Sequence, residues 1–222
     1  MSAGSAGRAA IAPRAVVLAT RSAGKRDELA ALFGEHGIAV ENLDDAGIAP
    51  DAAEDALEVH ETFEENARAK ARWFAERLPG RAVIADDSGL AVDALGGAPG
   101  VRSKRWSGSV AEGAALDAAN NAMLLRALAH LRDPDARTAR YVCAVVCVWD
   151  AREWTARGTC EGRILHEARG TGGFGYDPLF FSTELARAFG ECTRAEKGAV
   201  SHRGRALRAL LAQWSEEVGA AR

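Results

Sequence analysis

The chain has 222 residues, 48% of them hydrophobic, which is enough for one full core and excludes an intrinsically disordered protein. Its formal net charge of -3 gives no general attraction to nucleic acid, so any polyanion has to be met by a local basic site. The longest apolar run, Val142 to Trp149, is far too short to span a bilayer, and the expectation is a soluble protein.

Residues 1–13 are rich in Ala, Gly and Ser without a sustained apolar stretch, which predicts a flexible tail rather than a signal peptide. No repeat or linker divides the remainder, so residues 14–216 are read as a single domain and 217–222 as a short C-terminal tail. Ala15 to Ala19 reads as a buried strand, and Thr20-Arg21-Ser22-Ala23-Gly24-Lys25 as the turn into a helix reaching about Phe33. Free N–H groups at a new helix start, together with the Lys25 ammonium, suit an anion, although the spacing is not that of a Walker loop. A second strand covers about Ile38 to Leu43, and 44–60 is polar and irregular. Thr62-Phe63-Glu64-Glu65 then forms a capping box that opens a helix to about Leu78, closed by Pro79-Gly80. Phe63, Ala67, Phe74 and Leu78 make its core stripe, while Asn66 and Lys70, four apart, share a neighbouring face.

Ala82 to Ala85 reads as a short strand that ends by delivering Asp86 and Asp87, with Ser88-Gly89 as a turn, at the strand end where open α/β sheets place ligands. A helix follows over about Ala114 to Leu131. Tyr141 to Trp149 and Glu153 to Thr159 form a hairpin across Asp150-Ala151-Arg152. Gly170-Thr171-Gly172-Gly173-Phe174-Gly175-Tyr176-Asp177-Pro178 surrounds two aromatics and a carboxylate with four glycines. Such a loop brings backbone close to a ligand and keeps rings available for stacking. Pro178 to Phe181 is a short strand, and Leu207, Leu210, Leu211 and Trp214 mark an amphipathic helix starting at Ser201. The sum is a mixed α/β domain.

Cys143, Cys147, Cys160 and Cys192 show neither zinc spacing nor a CxxC pair, and are read as free thiols of a reducing cytoplasm, with Cys143 and Cys147 on one strand face. Only four of the 28 basic residues are lysines, Lys25, Lys70, Lys104 and Lys197, and three of them fall inside the motif blocks. A compact ammonium suits crowded phosphate oxygens as a point charge. His36, His60, His130 and His166 match no metal or catalytic spacing.

These blocks, with Phe63 to Ala71, Gly96-Gly97-Ala98-Pro99-Gly100-Val101, and Lys197 followed by Ser201-His202-Arg203-Gly204, occur in an order that resembles the inosine/xanthosine triphosphate pyrophosphatase family. The resemblance runs from about Val16 to about Leu211. It implies an elongated mixed β-sheet with flanking helices and two lobes around a nucleotide cleft, a homodimer, and release of pyrophosphate from non-canonical purine nucleoside triphosphates. On the matching positions it implies Asp87 as metal ligand and proton acceptor, with Glu58 as a second ligand of Mg²⁺ and Asp86 as a further candidate. Thr20 to Lys25, Asn66, Lys70, Ser88 and Lys197 would bind substrate, the lysines neutralising phosphate. Phe174 would stack on the purine, with Gly175, Tyr176 and Asp177 at its edge. His202 and Arg203 would donate to a 6-oxo group and so refuse adenine. Ser22 stands where the family pattern carries Asn, and Arg102 where it carries an aromatic. A nucleotide-binding regulator with impaired turnover is the alternative reading.

Overall fold

The structure, a computed structural model, describes residues 13–220, with side chains described as far as Glu216. Most of the two expected tails therefore lies outside the described residues. Seven strands form one sheet in the order β2-β1-β3-β4-β5-β6-β7. β1 (Ala15–Leu18) pairs in parallel with both β2 (Ala39–Asn42) and β3 (Ala82–Val92), and every later pairing is antiparallel. β4 (Thr138–Trp149) and β5 (Arg152–Ile164) make a long hairpin in which Trp149 faces Arg152, so the turn is Asp150-Ala151 alone. β6 (Phe180–Ser182) and β7 (Arg187–Ala188) complete the edge.

Helices cover both faces because the strands are apolar on both. α1 (Ala23–Glu35) turns Leu29, Leu32 and Phe33 inward, and α5 (His202–Ala220) adds Ala206, Leu207, Leu210 and Trp214. Together they bury Val16, Leu18, Ile84, Val145 and Cys147. On the opposite face α2 (Phe63–Arg77) lays Phe63, Ala67 and Phe74 over Val17, Val83, Ala85, Ala144 and Val146. Burying rings such as Phe63 and Phe74 contributes roughly 1.5–3 kcal/mol each. The α2 stripe expected from the sequence is thus the packed one, and Cys143 and Cys147 do share one buried face.

A third core lies at the far end of the long strands, where Leu90, Val92, Tyr141, Cys160 and Ile164 pack with α3 (Gly113–Ala127), Phe180 and Phe189. β3, β4 and β5 therefore bridge separate cores, and this corrects the short strand expected at Ala82 to Ala85. β3 continues unbroken through Asp86-Asp87-Ser88-Gly89, paired with Val145, Ala144, Cys143 and Val142 of β4. Asp, Ser and Gly are poor strand formers. Here the partner strand and the cations on either face override that local preference. Also missed from the sequence were a 3-10 helix at Ala52–Glu58, another at Gly100–Arg105, and α4 (Arg194–Val200), which carries Lys197.

Candidate active site

Because side chains alternate along a strand, the neighbouring aspartates of β3 point to opposite faces of the sheet. Asp86 faces α1 and α5 and has no exposure. Its Oδ2 accepts from both Nε and Nη2 of Arg203 at 3.2 Å, from the Ser88 hydroxyl at 3.2 Å, and lies 3.3 Å from the Lys25 ammonium. Burial alone would raise the Asp86 pKa, but Lys25 and Arg203 outweigh it and hold the carboxyl below the usual range. Asp87 faces α2, where Asn66 Nδ2 donates to its Oδ2 at 2.9 Å and the Ser88 N–H to its Oδ1 at 3.0 Å. The acidic pair expected as one unit is therefore split between two clusters.

The α2-side cluster is built around Lys70. Lys70 Nζ donates to Glu58 Oε1 at 2.6 Å and to the Asp86 backbone carbonyl at 2.5 Å, and lies 4.0 Å from Asp87 Oδ1. Burial would raise Glu58, yet Lys70 and Lys25 pull its pKa down to about 2. Asp87 moves the other way. Its burial and the nearby Glu58 charge raise its pKa more than Lys70, Lys25 and Asn66 lower it. Lys104, the one lysine outside the sequence blocks, adds to the positive field on Glu58, and Arg105 Nη2 donates to the Glu58 carbonyl at 2.8 Å.

The other cluster is charge-balanced. Lys197 Nζ donates to Glu28 Oε1 at 2.6 Å and to Asp177 Oδ2 at 2.5 Å, and Arg203 Nη1 donates to Glu28 Oε2. With Asp86 and Lys25 this makes three carboxylates against three cations. Glu28 is not among the residues the sequence motifs single out. Its one signal there is its place three residues after Lys25, on the same helical face. Lys197 is only 5% exposed, and its ammonium, bonded to Glu28 and Asp177, stands 5.0 Å from the Phe174 ring centre.

Several expected ligand contacts have structural partners instead. Arg21 turns away, its guanidinium bonded to Glu54, Asp44 and the Ile48 carbonyl. The Tyr176 hydroxyl donates to the Ser103 carbonyl at 2.8 Å inside the third core, and Asp177 accepts from the Phe174 N–H and the Tyr141 hydroxyl. Their inward turn leaves the half-buried Phe174 ring at the loop surface, while the Gly175 N–H and carbonyl are taken up by Asp117 and Asn121 of α3. Ser22 is the N-cap of α1, accepting the Lys25 N–H, while its own N–H donates to Thr20 Oγ1. Serine caps well, which accounts for its fit where the family pattern has Asn. Nothing in the structure explains Arg102.

His202 is 3% exposed and stacks on Tyr141 at 4.6 Å and 8°, and its Nδ1 has no partner. Burial, reinforced by Arg203 and Lys197, drives its pKa well below the ordinary value, so the ring is neutral. As for a metal, no three or more His, Cys, Asp or Glu side chains among the described residues gather as a cage. Magnesium needs only one or two carboxylates besides waters and phosphate oxygens, and Glu58 with Asp87 around a single lysine fits that requirement.

The chain matches the model of the Ham1 family over residues 16–213. It is 47% identical over 205 residues to a dITP/XTP pyrophosphatase of Exiguobacterium sibiricum, covering 92% of this chain and 98% of that protein. A dITP/XTP pyrophosphatase of Escherichia coli O157:H7 is 46% identical over 199 residues, 88% and 95% of the two chains. Among solved structures, the Staphylococcus aureus Ham1 protein superposes with a TM-score of 0.75 at 33% identity, covering 91% of this chain and 99% of that one. A nucleoside-triphosphatase / dITP/XTP pyrophosphatase from Mycobacterium abscessus does so with a TM-score of 0.65 at 42% identity, covering 89% and 98%.

Two of these contacts lend themselves to direct test. The unfolded chain protonates His202 near pH 6.5 and the folded one does not. Stability present above pH 6.5 is thus lost as pH falls below it, by up to about 1.4 kcal/mol per pH unit. Urea unfolding between pH 7 and 5 should show this slope, and His202→Gln should remove it. A Cβ at Gly24 would come within 2.6–2.9 Å of the Phe174 ring. Gly24→Ala is therefore expected to lower the melting temperature, although alanine is the better helix former. In a Phe174→Ala background the same change should raise it.

Proposed function

The chain belongs to the Ham1 family, and from that premise we propose that it hydrolyses dITP, ITP and XTP to the nucleoside monophosphate and pyrophosphate. The dITP/XTP pyrophosphatases it is similar to supply the substrate class. The observation that carries the reading is Asp87, a carboxylate short of counter-charge, set beside Lys70 and close to the Lys25 helix start.

In this reading the α1 amides and Lys25 take phosphate oxygens, since helix N-termini attract anions. Lys70 adds a second cation. Glu58 and Asp87 would hold Mg²⁺, which spreads the negative charge of the triphosphate and its leaving group. Asn66 and the Ser88 N–H each occupy one oxygen of Asp87 and orient it. A remaining lone pair accepts the proton of the water that attacks the α phosphorus, and the bond to the β-phosphate oxygen breaks to release pyrophosphate.

On the other side of the sheet, Phe174 stacks on the purine, and Arg203 with neutral His202 meets the 6-oxo edge. A site built on donors to O6 leaves them unpaired against the 6-amino group of adenine. The same reading takes a homodimer as the working unit. The buried thiols of Cys143, Cys147 and Cys160 support a reducing cytoplasm as its setting.

Catalytic efficiency on ITP, dITP and XTP is expected to exceed that on ATP by roughly 10²-fold or more, with pyrophosphate as product and loss of turnover on chelation of Mg²⁺. Steady-state kinetics with phosphate and pyrophosphate detection checks this. Equal efficiency on ATP, or a diphosphate product, would overturn it. Asp87→Asn should lose on the order of 10²-fold or more in kcat while keeping fold and nucleotide affinity. Glu58→Gln should instead raise the Mg²⁺ concentration needed for half-maximal rate. Near-normal kcat in Asp87→Asn would assign the water to another base.

A further inference from the structure

The loop carrying Phe174 is gripped at one residue from outside. The Gly175 N–H donates to Asp117 Oδ2 at 2.7 Å, and the Gly175 carbonyl accepts from Asn121 Nδ2 at 3.0 Å. Asp117 and Asn121 are four apart on α3, so both project from one helical face. Gly175 is where such a grip has most effect. Its φ of +62° lies in the left-handed region, and a glycine leaves any single conformation more readily than other residues. Asn121 Oδ1 has no partner, so the amide is oriented by Gly175 alone.

The preceding residue on the same helix holds a second segment. Asn120 Oδ1 accepts the Ser107 N–H at 2.8 Å, and its Nδ2 donates to the Lys104 carbonyl at 3.0 Å. That segment carries Arg105, which is bonded to the Glu58 backbone. α3 thus ties the Phe174 loop and the Glu58 side of the site to one rigid element.

We propose that Asp117 and Asn121 are positioning residues, a two-point clamp that fixes the backbone at Gly175 and so the Phe174 ring against which the base is read. The inference rests on the substrate reading above, since it assigns the clamp to base recognition rather than to phosphate chemistry. Fixing the ring before binding spares the substrate that ordering step, so the clamp acts on KM and selectivity.

The test joins a ligand-free readout to kinetics on the full chain. In Asp117→Ala, amide hydrogen exchange at Gly175 is expected to speed up tenfold or more. KM for ITP should rise about tenfold with kcat within threefold, and the preference for ITP over ATP should narrow. Asp117→Asn, which keeps an acceptor oxygen, should recover most of both effects, and Asn121→Ala should reproduce them more weakly if Asp117→Ala does not fold. Unchanged exchange at Gly175 in Asp117→Ala and Asn121→Ala would overturn the clamp. So would faster exchange with KM and selectivity intact, or a fall in kcat alone. Faster exchange at Gly175 in Asp117→Ala, with a wild-type protein that does not turn over ITP, would uphold the clamp on the loop and overturn the substrate reading instead.

Discussion

A fully enclosed carboxylate in the middle of a strand is the constraint on which the rest of this structure depends. Asp86 has no exposed surface, and an unpaired charge there would cost several kcal/mol. Arg203 and Lys25 answer it from two helices that are far apart in sequence, and Arg203 is in turn held by Glu28. Removing one partner of such a buried set typically costs about 3–5 kcal/mol. Placement of α1 and α5 against β3 is therefore coupled to neutralising this one group.

Balance on that face makes imbalance possible on the other. The three cations and three carboxylates beside α1, α4 and α5 form a closed network that has little left to offer a metal. Across the sheet, Glu58 and Asp87 share Lys70, and this is the pair that the proposed reading gives to a cation. One strand thus carries two neighbouring carboxylates in different charge surroundings, separated only by the alternation of side chains.

Long strands are what bring these faces to the ligand. β3, β4 and β5 run from the cores under α1, α2 and α5 to the core under α3, with Asp86 and Asp87 between them. The phosphate-side turn at Gly24 and the ring of Phe174 meet at this waist, near enough that even a methyl group at Gly24 would not fit. In the proposed reading, phosphate and base recognition are therefore packed against each other.

Much of this was legible in the sequence because it is local. Capping at Thr62, the stripe through Phe63, Ala67 and Phe74, the long hairpin and the amphipathic last helix each follow from residues within a few positions of one another. The motif blocks likewise named most of the side chains that meet at the site. Continuation of β3 through Asp86 and Asp87 was not legible, since it depends on pairing with β4 almost 60 residues away and on cations from three helices. The opposite facing of the two aspartates follows from that continuation. Nor could residue type tell that Arg21 would turn to Glu54, that Tyr176 would point into a core, or that His202 would be buried and neutral. Sequence by itself determined which chemical groups are present and which local elements carry them. Only tertiary structure decided which face each group points to and which charges remain unbalanced, because burial and long-range ion pairing are properties of the packed chain.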